Sequence, residues 1–351
     1  MILKNATVDG AITDIAVENG KITRVSITAD KGIDLEGMEV IPGLIDIHTH
    51  GCVGDDTMDG RFDKMCHFLA KNGTTAWLPT TMTEPIEKIA AATRADINCP
   101  GAQILGFHME GPYLSREYKG AHNEKCIINP RLEDYQKLKH VKVITIAPEL
   151  PGAMEFIRDC GAKVQIGHTA CSYDLAVEAI KSGADGLTHT FNAMPPLHHR
   201  APGPIGAAVT EHAYAELICD GIHVHKAAVL ILYKTFGPER LILISDAMRA
   251  TGLSDGEYEF GGMRVIVKDS VARTEAGAIA GSTSTLWHCV KTAVEFGIPW
   301  KDAVRMATQT PAEYLGISKG QIREGYDADL LVLDAERNIK KIFIAGEEYG
   351  A

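Results

Sequence analysis

The stretch Pro42-Gly43-Leu44-Ile45-Asp46-Ile47-His48-Thr49-His50 ends in two histidines one residue apart. Leu44, Ile45 and Ile47 give it the apolar content of a buried strand. Side chains alternate along a strand, so His48 and His50 are expected on the face of Asp46, with Ile45 and Ile47 opposite. Two imidazoles on one side of a strand end can reach a single cation. Later apolar runs end in the same kind of residue: Glu110, His168, His189 and Asp246. Polar residues commonly cap strands, and one such residue carries little weight. Five strand ends converging on one rim point to a metal site rather than to solvated rim histidines. Imidazole and carboxylate donors suit zinc, iron, manganese or cobalt, with no thiolate required. Such an ion brings the pKa of its water towards about 7, which suits hydrolysis at neutral pH. Hydrolysis also needs a group that takes the water's proton and returns it to the leaving group. Asp246 is the candidate, with a helix N-cap as its plainer role.

These residues require a scaffold that brings distant segments together. Strand candidates are 44–48, 75–79, 104–109, 143–147, 164–167, 186–188, 215–219 and 241–245. Helical stretches fit between them at 62–72, 84–97, 131–140, 151–160, 172–182 and 226–236. Strand–helix alternation implies parallel pairing, and eight units close a (β/α)8 TIM-like barrel. An open doubly wound sheet is the alternative, but no Gly-x-Gly-x-x-Gly follows the first strand. Residues 1–41 read as short strands, with hairpin signals at Asp9-Gly10 and Asn19-Gly20. Strands are also expected at 257–260, 264–268, 270–274, 329–333 and 339–345. The expected division is a catalytic barrel over 43–256 and 276–319, with a small β-sandwich domain from 1–42, 257–275 and 320–351.

The bulk composition narrows the partners. The chain has 351 residues, 45% hydrophobic and 23% charged, as in an ordinary globular protein. Its net charge of −11 argues against nucleic acid and anionic membranes. No apolar run is long enough for a membrane span. Met1–Ala6 lack a basic start leading into an apolar leader. Eight cysteines without a Cys-x-x-Cys pair suggest free thiols in a reducing cytoplasm. An anionic substrate needs local positive charge, which the proline-stiffened segment 197–204, with His198, His199 and Arg200, can supply. His108 shares a strand face with Glu110 and can orient it. His67, His140, His212, His225 and His288 read as packing or surface residues.

The His-x-His, the single histidines after the fifth and sixth strands and the Asp after the eighth resemble the amidohydrolase superfamily. Six further segments narrow the likeness: Gly106–Pro112, Lys119–Asn123, Ile166–Thr169, Thr188–Met194, Asp220–His223 and Ala280–Ser282. Within the superfamily they resemble the N-acetylglucosamine-6-phosphate deacetylases, from the opening strands to the closing ones. The resemblance implies a divalent metal on Glu110, His168 and His189, with room for a second at His48 and His50. It implies Asp246 as general base and then acid, and His223 as a stabiliser of the oxyanion. Sugar and phosphate contacts fall on Ala121, His122, Asn192, Ala193, Arg200, Asp220, Gly221, Ile222 and His223, with Ile279, Ala280 and Gly281 bordering the sugar. It further implies a homodimer in which Arg200 crosses to the neighbouring subunit. The rival readings are an amidohydrolase acting on a related N-acyl amino sugar or a cyclic amide, and a barrel kept only as a scaffold.

Overall fold

The computed structural model describes residues 1–27 and 31–350. Eight parallel strands form the barrel: Leu44–Thr49, Thr74–Thr81, Phe107–Glu110, Val141–Ile146, Lys163–Ile166, Gly186–Leu187, Tyr214–Ile218 and Leu241–Ile244. Each pairs with the next in chain order. The ring closes where the Asp246 N–H donates to the His48 carbonyl at 2.9 Å and Thr49 bridges Ala247. Isoleucines fill the interior beneath the mouth, with Ile45, Ile47, Ile218, Ile242 and Ile244 packed against Val143 and Tyr314. A larger apolar layer, including Leu217, Leu241 and Leu243, packs the outer strand faces against helices. The strands are therefore apolar on both faces, as parallel strands covered by helices must be.

Three local departures have physical causes. The expected strand 104–109 is split, with Gln103–Ile104 flanking the second barrel strand and Phe107–Glu110 entering the ring. Gly106 makes the break at φ +140°, where an added Cβ would lie 2.4 Å from the His140 carbonyl. The loop read at 197–204 runs into a helix, Gly203–Thr210, whose first turn holds Pro204. A first-turn proline sacrifices no helical hydrogen bond. The strict alternation from Asp46 to His50 also fails. Register against the second strand shifts between Asp46 and Thr49, and Asp46 Oδ1 turns back to the His48 N–H at 3.3 Å. Asp46 pairs opposite Trp77, while His48 and His50 reach Glu110 and Asp246.

Both chain ends build one sheet in the order Glu347–Glu348, Ile339–Ile344, Leu330–Leu333, Glu39–Pro42, Ile2–Val8, Ala11–Glu18 and Lys21–Val25. It curls over a core of Leu3, Ile15, Val17, Ile22, Val40, Leu330 and Phe343, and Ile22 N–H reaches the Tyr326 carbonyl at 2.9 Å. The Asp9-Gly10 and Asn19-Gly20 turns take the positive φ of tight hairpins. The expected excursion at 257–275 does not join this sheet. Gly256–Phe260, Met263–Lys268 and Val271–Thr274 form a separate three-stranded sheet. Its apolar face, with Phe260, Val265, Val267 and Ala272, is covered instead by Met82, Ala121, Met248 and Ala280 beside the barrel mouth.

Candidate active site

Strand ends and the loops after them supply the candidate reacting groups. His48 and His50 leave the first strand, Glu110 ends the third, and His168 and His189 follow the fifth and sixth. Asp246 follows the eighth, and all six are buried. The two oxygens of Glu110 divide them. Around Oε1, His189 Nε2 lies at 2.9 Å and His168 Nε2 at 3.1 Å, with 3.1 Å between the two nitrogens. Around Oε2 lie His50 Nε2 at 3.1 Å and His48 Nε2 at 3.6 Å, themselves 3.3 Å apart. Asp246 Oδ1 completes that second group, 3.3 Å from His50 Nε2 and 3.5 Å from His48 Nε2. A tetrahedral zinc with bonds near 2.0–2.1 Å holds its donor atoms about 3.3 Å apart. Both groups match that spacing, so the residues fit a divalent ion.

The orientation of the rings fits as well. His168 Nδ1 lies 2.8 Å from the Tyr118 carbonyl, His50 Nδ1 lies 3.1 Å from the Thr80 carbonyl, and His48 Nδ1 lies 2.9 Å from Glu216 Oε2. Hydrogen bonds at Nδ1 put the proton there and leave the Nε2 lone pair free to meet a cation. His108, expected to orient Glu110, instead uses its nitrogens on the Ile47 carbonyl at 3.0 Å and Thr145 Oγ1 at 2.8 Å.

The electrostatics demand positive charge. Burial opposes ionisation of Glu110, yet facing His48 and His122 holds its carboxyl well below the usual range. Burial likewise opposes Asp246, and the hydrogen bond from His50 with the His48 charge brings it down to about 2. In return His50 rises to about 9 against its burial, through Asp246 and Glu110. Protons on these imidazoles balance the carboxylates, and a divalent cation at the same place displaces them.

The cavity above the cluster has about 440 Å³ and is lined by His50, Glu110, Ala121, His122, His168, His189, Asn192, Ala193, His223, Asp246, Ile279 and Gly281. Phe260 and Ile218 also line it. Phe260 comes from the three-stranded excursion and meets the His50 ring edge-on at 5.1 Å. His122 reaches Glu110 Oε2 at 3.3 Å. Asp220 faces its own turn, accepting from the Ile222 and His223 N–H groups and pairing with His223 Nδ1 at 2.7 Å. Burial depresses the His223 imidazole, but that pairing raises it overall. Gly221 and Ile222 are exposed and Ala280 is buried, and none of the three lines the cavity. Arg200 is exposed, does not line its own chain's cavity, and has His199 Nε2 at 2.7 Å.

Two groups escaped the sequence reading. Phe260 carried no signal before the excursion was placed. Glu216 did carry one, as a lone carboxylate inside the apolar run Tyr214–Ile218.

An amidohydrolase family model matches residues 40–349. The chain belongs to that family. It is 38% identical to an N-acetylgalactosamine-6-phosphate deacetylase of Escherichia coli O157:H7, over 87% of this chain and 86% of that one. It is 37% identical to an N-acetylglucosamine-6-phosphate deacetylase of Vibrio furnissii, over 94% of this chain and 88% of that one. The solved N-acetylglucosamine-6-phosphate deacetylase of Thermotoga maritima superposes with a TM-score of 0.92 at 33% identity, covering 99% of each chain. A variant of the Mycobacterium smegmatis enzyme in complex with N-acetyl-D-glucosamine-6-phosphate superposes at 0.91 and 32% identity, over 99% of this chain and 98% of that one. The (β/α)8 barrel expected from the strand pattern and the amidohydrolase family implied by the resemblance are thus both found. Among the described residues no helix is long and apolar enough to cross a membrane.

Proposed function

We propose that this amidohydrolase cleaves N-acetyl-D-glucosamine 6-phosphate to D-glucosamine 6-phosphate and acetate. The observation that carries the reading is the convergence of Nε2 and carboxylate atoms on Glu110, with an ionised Asp246 beside them. Glu110, His168 and His189 would hold one divalent ion, and His48 and His50 with Glu110 Oε2 would hold a second. A bound divalent ion supplies an acidified water and withdraws electrons from the acetamido carbonyl.

The chain's own side chains do the rest. Asp246 Oδ1 takes the proton of the attacking water, because the facing imidazoles keep it ionised at neutral pH against its burial. His223, anchored to Asp220 through Nδ1, has Nε2 left to donate to the carbonyl oxygen as charge develops there. Asp246 then returns the proton to the departing nitrogen, and the C–N bond breaks. His122, Asn192 and Ala193 line the space for the sugar. The phosphate falls to Arg200 of a second subunit in a homodimer, a role its position outside its own chain's cavity supports. The eight cysteines are all free, which supports a reducing cytoplasm.

The test measures acetate and primary amine released from phosphorylated and unphosphorylated N-acetylglucosamine across a zinc, iron, manganese and cobalt series, with the galacto epimer as a further arm. Equal release of acetate and amine from the phosphorylated glucosamine substrate is expected. Ammonia or ring-opened product without acetate would sink the proposal.

A further inference from the structure

Glu216 is a fully buried carboxylate that none of the steps above uses. It stands in the seventh barrel strand, one residue before Leu217 and two before Ile218. A charge in such surroundings is costly unless it holds something. Its Oε2 accepts two hydrogen bonds, from His48 Nδ1 at 2.9 Å and from the His189 backbone N–H at 3.1 Å. Its Oε1 has no hydrogen-bond partner among the described residues. Both donors belong to residues whose Nε2 atoms face Glu110, one in each candidate ion group. The His189 N–H is available because the chain turns there at φ +26°. The next N–H, of Thr190, goes to the Glu216 backbone carbonyl at 2.9 Å.

We propose that Glu216 is a positioning residue for the second ion, acting through His48; this rests on the two-ion reading above. A neutral imidazole carries one ring proton. On Nδ1, held by Glu216, it leaves the Nε2 lone pair for a cation; on Nε2 it blocks that cation. His108 cannot replace the carboxylate, since both its nitrogens are committed and it meets His48 only ring to ring, with centroids 4.5 Å apart. Glu216 also ties the two ion groups together, because the same oxygen fixes the turn that presents His189.

The test titrates zinc into metal-free protein by calorimetry for the wild type, Glu216→Gln and Glu216→Leu. Glutamine keeps an oxygen for both donors and loses the charge; leucine loses the acceptor. The wild type is expected to take two ions. Glu216→Gln is expected to hold the first within about threefold and the second roughly 10- to 100-fold more weakly. Glu216→Leu is expected to lose the second ion altogether, and should it fail to fold, the glutamine variant decides alone. Unchanged affinity for both ions in Glu216→Gln overturns the proposal, as does equal weakening of both. A wild type that binds one ion overturns the two-ion reading and this role with it, a failure seen in the unmodified protein rather than in the variants.

Discussion

His168, His189 and Asp246 hold left-handed backbone, with φ of 47°, 26° and 49°. Such conformations cost on the order of 1–3 kcal/mol each and persist only where neighbours over-determine them. Here the Ser115 N–H holds the His168 carbonyl at 2.8 Å, and the Ser282 N–H holds the Asp246 carbonyl at 2.7 Å. The strain turns three side chains into the mouth instead of along the strands. Asp246→Asn keeps the shape and removes the proposed base, so ion content should stay near that of the wild type while turnover falls roughly 10²- to 10⁴-fold. Near-normal turnover in that variant would take Asp246 out of the role. A different carboxyl, Asp56, controls a pH effect on stability. Burial lifts it to about 6 from an ordinary 3.8, despite the Met58 N–H and Arg249. The unfolded chain therefore ionises first as pH rises. The stability this group contributes is whole below about pH 4 and is lost through about pH 6, on the order of 3 kcal/mol. Asp56→Asn should flatten that part of the urea midpoint against pH between 4 and 7; parallel curves for variant and wild type would refute it. The cluster around Glu110 was legible because histidines and carboxylates at strand ends are conspicuous. Glu216 was not, because a single carboxylate in an apolar run looks like noise until the barrel closes around it.

The barrel strands were legible as apolar runs, since period and composition survive in the sequence. Their exact ends were not, because glycine and register decide them. Gly106 splits a run that reads as continuous, and the shift after Asp46 turns His48 inward against simple alternation. The excursion at 256–274 was legible as strands but not as to its place, because its apolar face fits either sheet until Phe260 is seen over His50. The loop behind it packs against Asp246. Gly281 lies at φ +63°, and an added Cβ would sit 3.1 Å from both the Asp246 carbonyl oxygen and Met248 Cβ. Ser282, the next residue, latches to Asp246 and Ser245. Gly281→Ala thus strains this loop where it clasps Asp246, the proposed base. It should cost about 1–2 kcal/mol from backbone strain alone and lower kcat more than it raises KM. A thermal midpoint and kcat equal to those of the wild type would show the contact to be slack.

At the scale of the whole molecule, the acidic chain must still hold a phosphate dianion. Net charge is −11, and the cavity wall is dominated by imidazoles, carboxylates and small apolar side chains. No arginine or lysine lines that cavity among the described residues. Arg200 stands instead on an exposed segment, three residues after Leu197, itself 47% exposed. If its guanidinium completes the neighbour's site, two disabled proteins can repair each other. Arg200→Ala alone should raise KM for the phosphorylated sugar, and Asp246→Asn alone should be nearly inactive. In a mixed dimer the chain that keeps Asp246 receives the intact Arg200 of its partner, so one of its two sites is whole. Dissociating and reassociating the two variants in equal amounts should restore about a quarter of wild-type activity at low substrate, given random pairing in a two-fold dimer. Activity no greater than the average of the separate variants would place Arg200 outside the partner's site, or the chain outside a dimer, and sedimentation of the same mixture tells these apart.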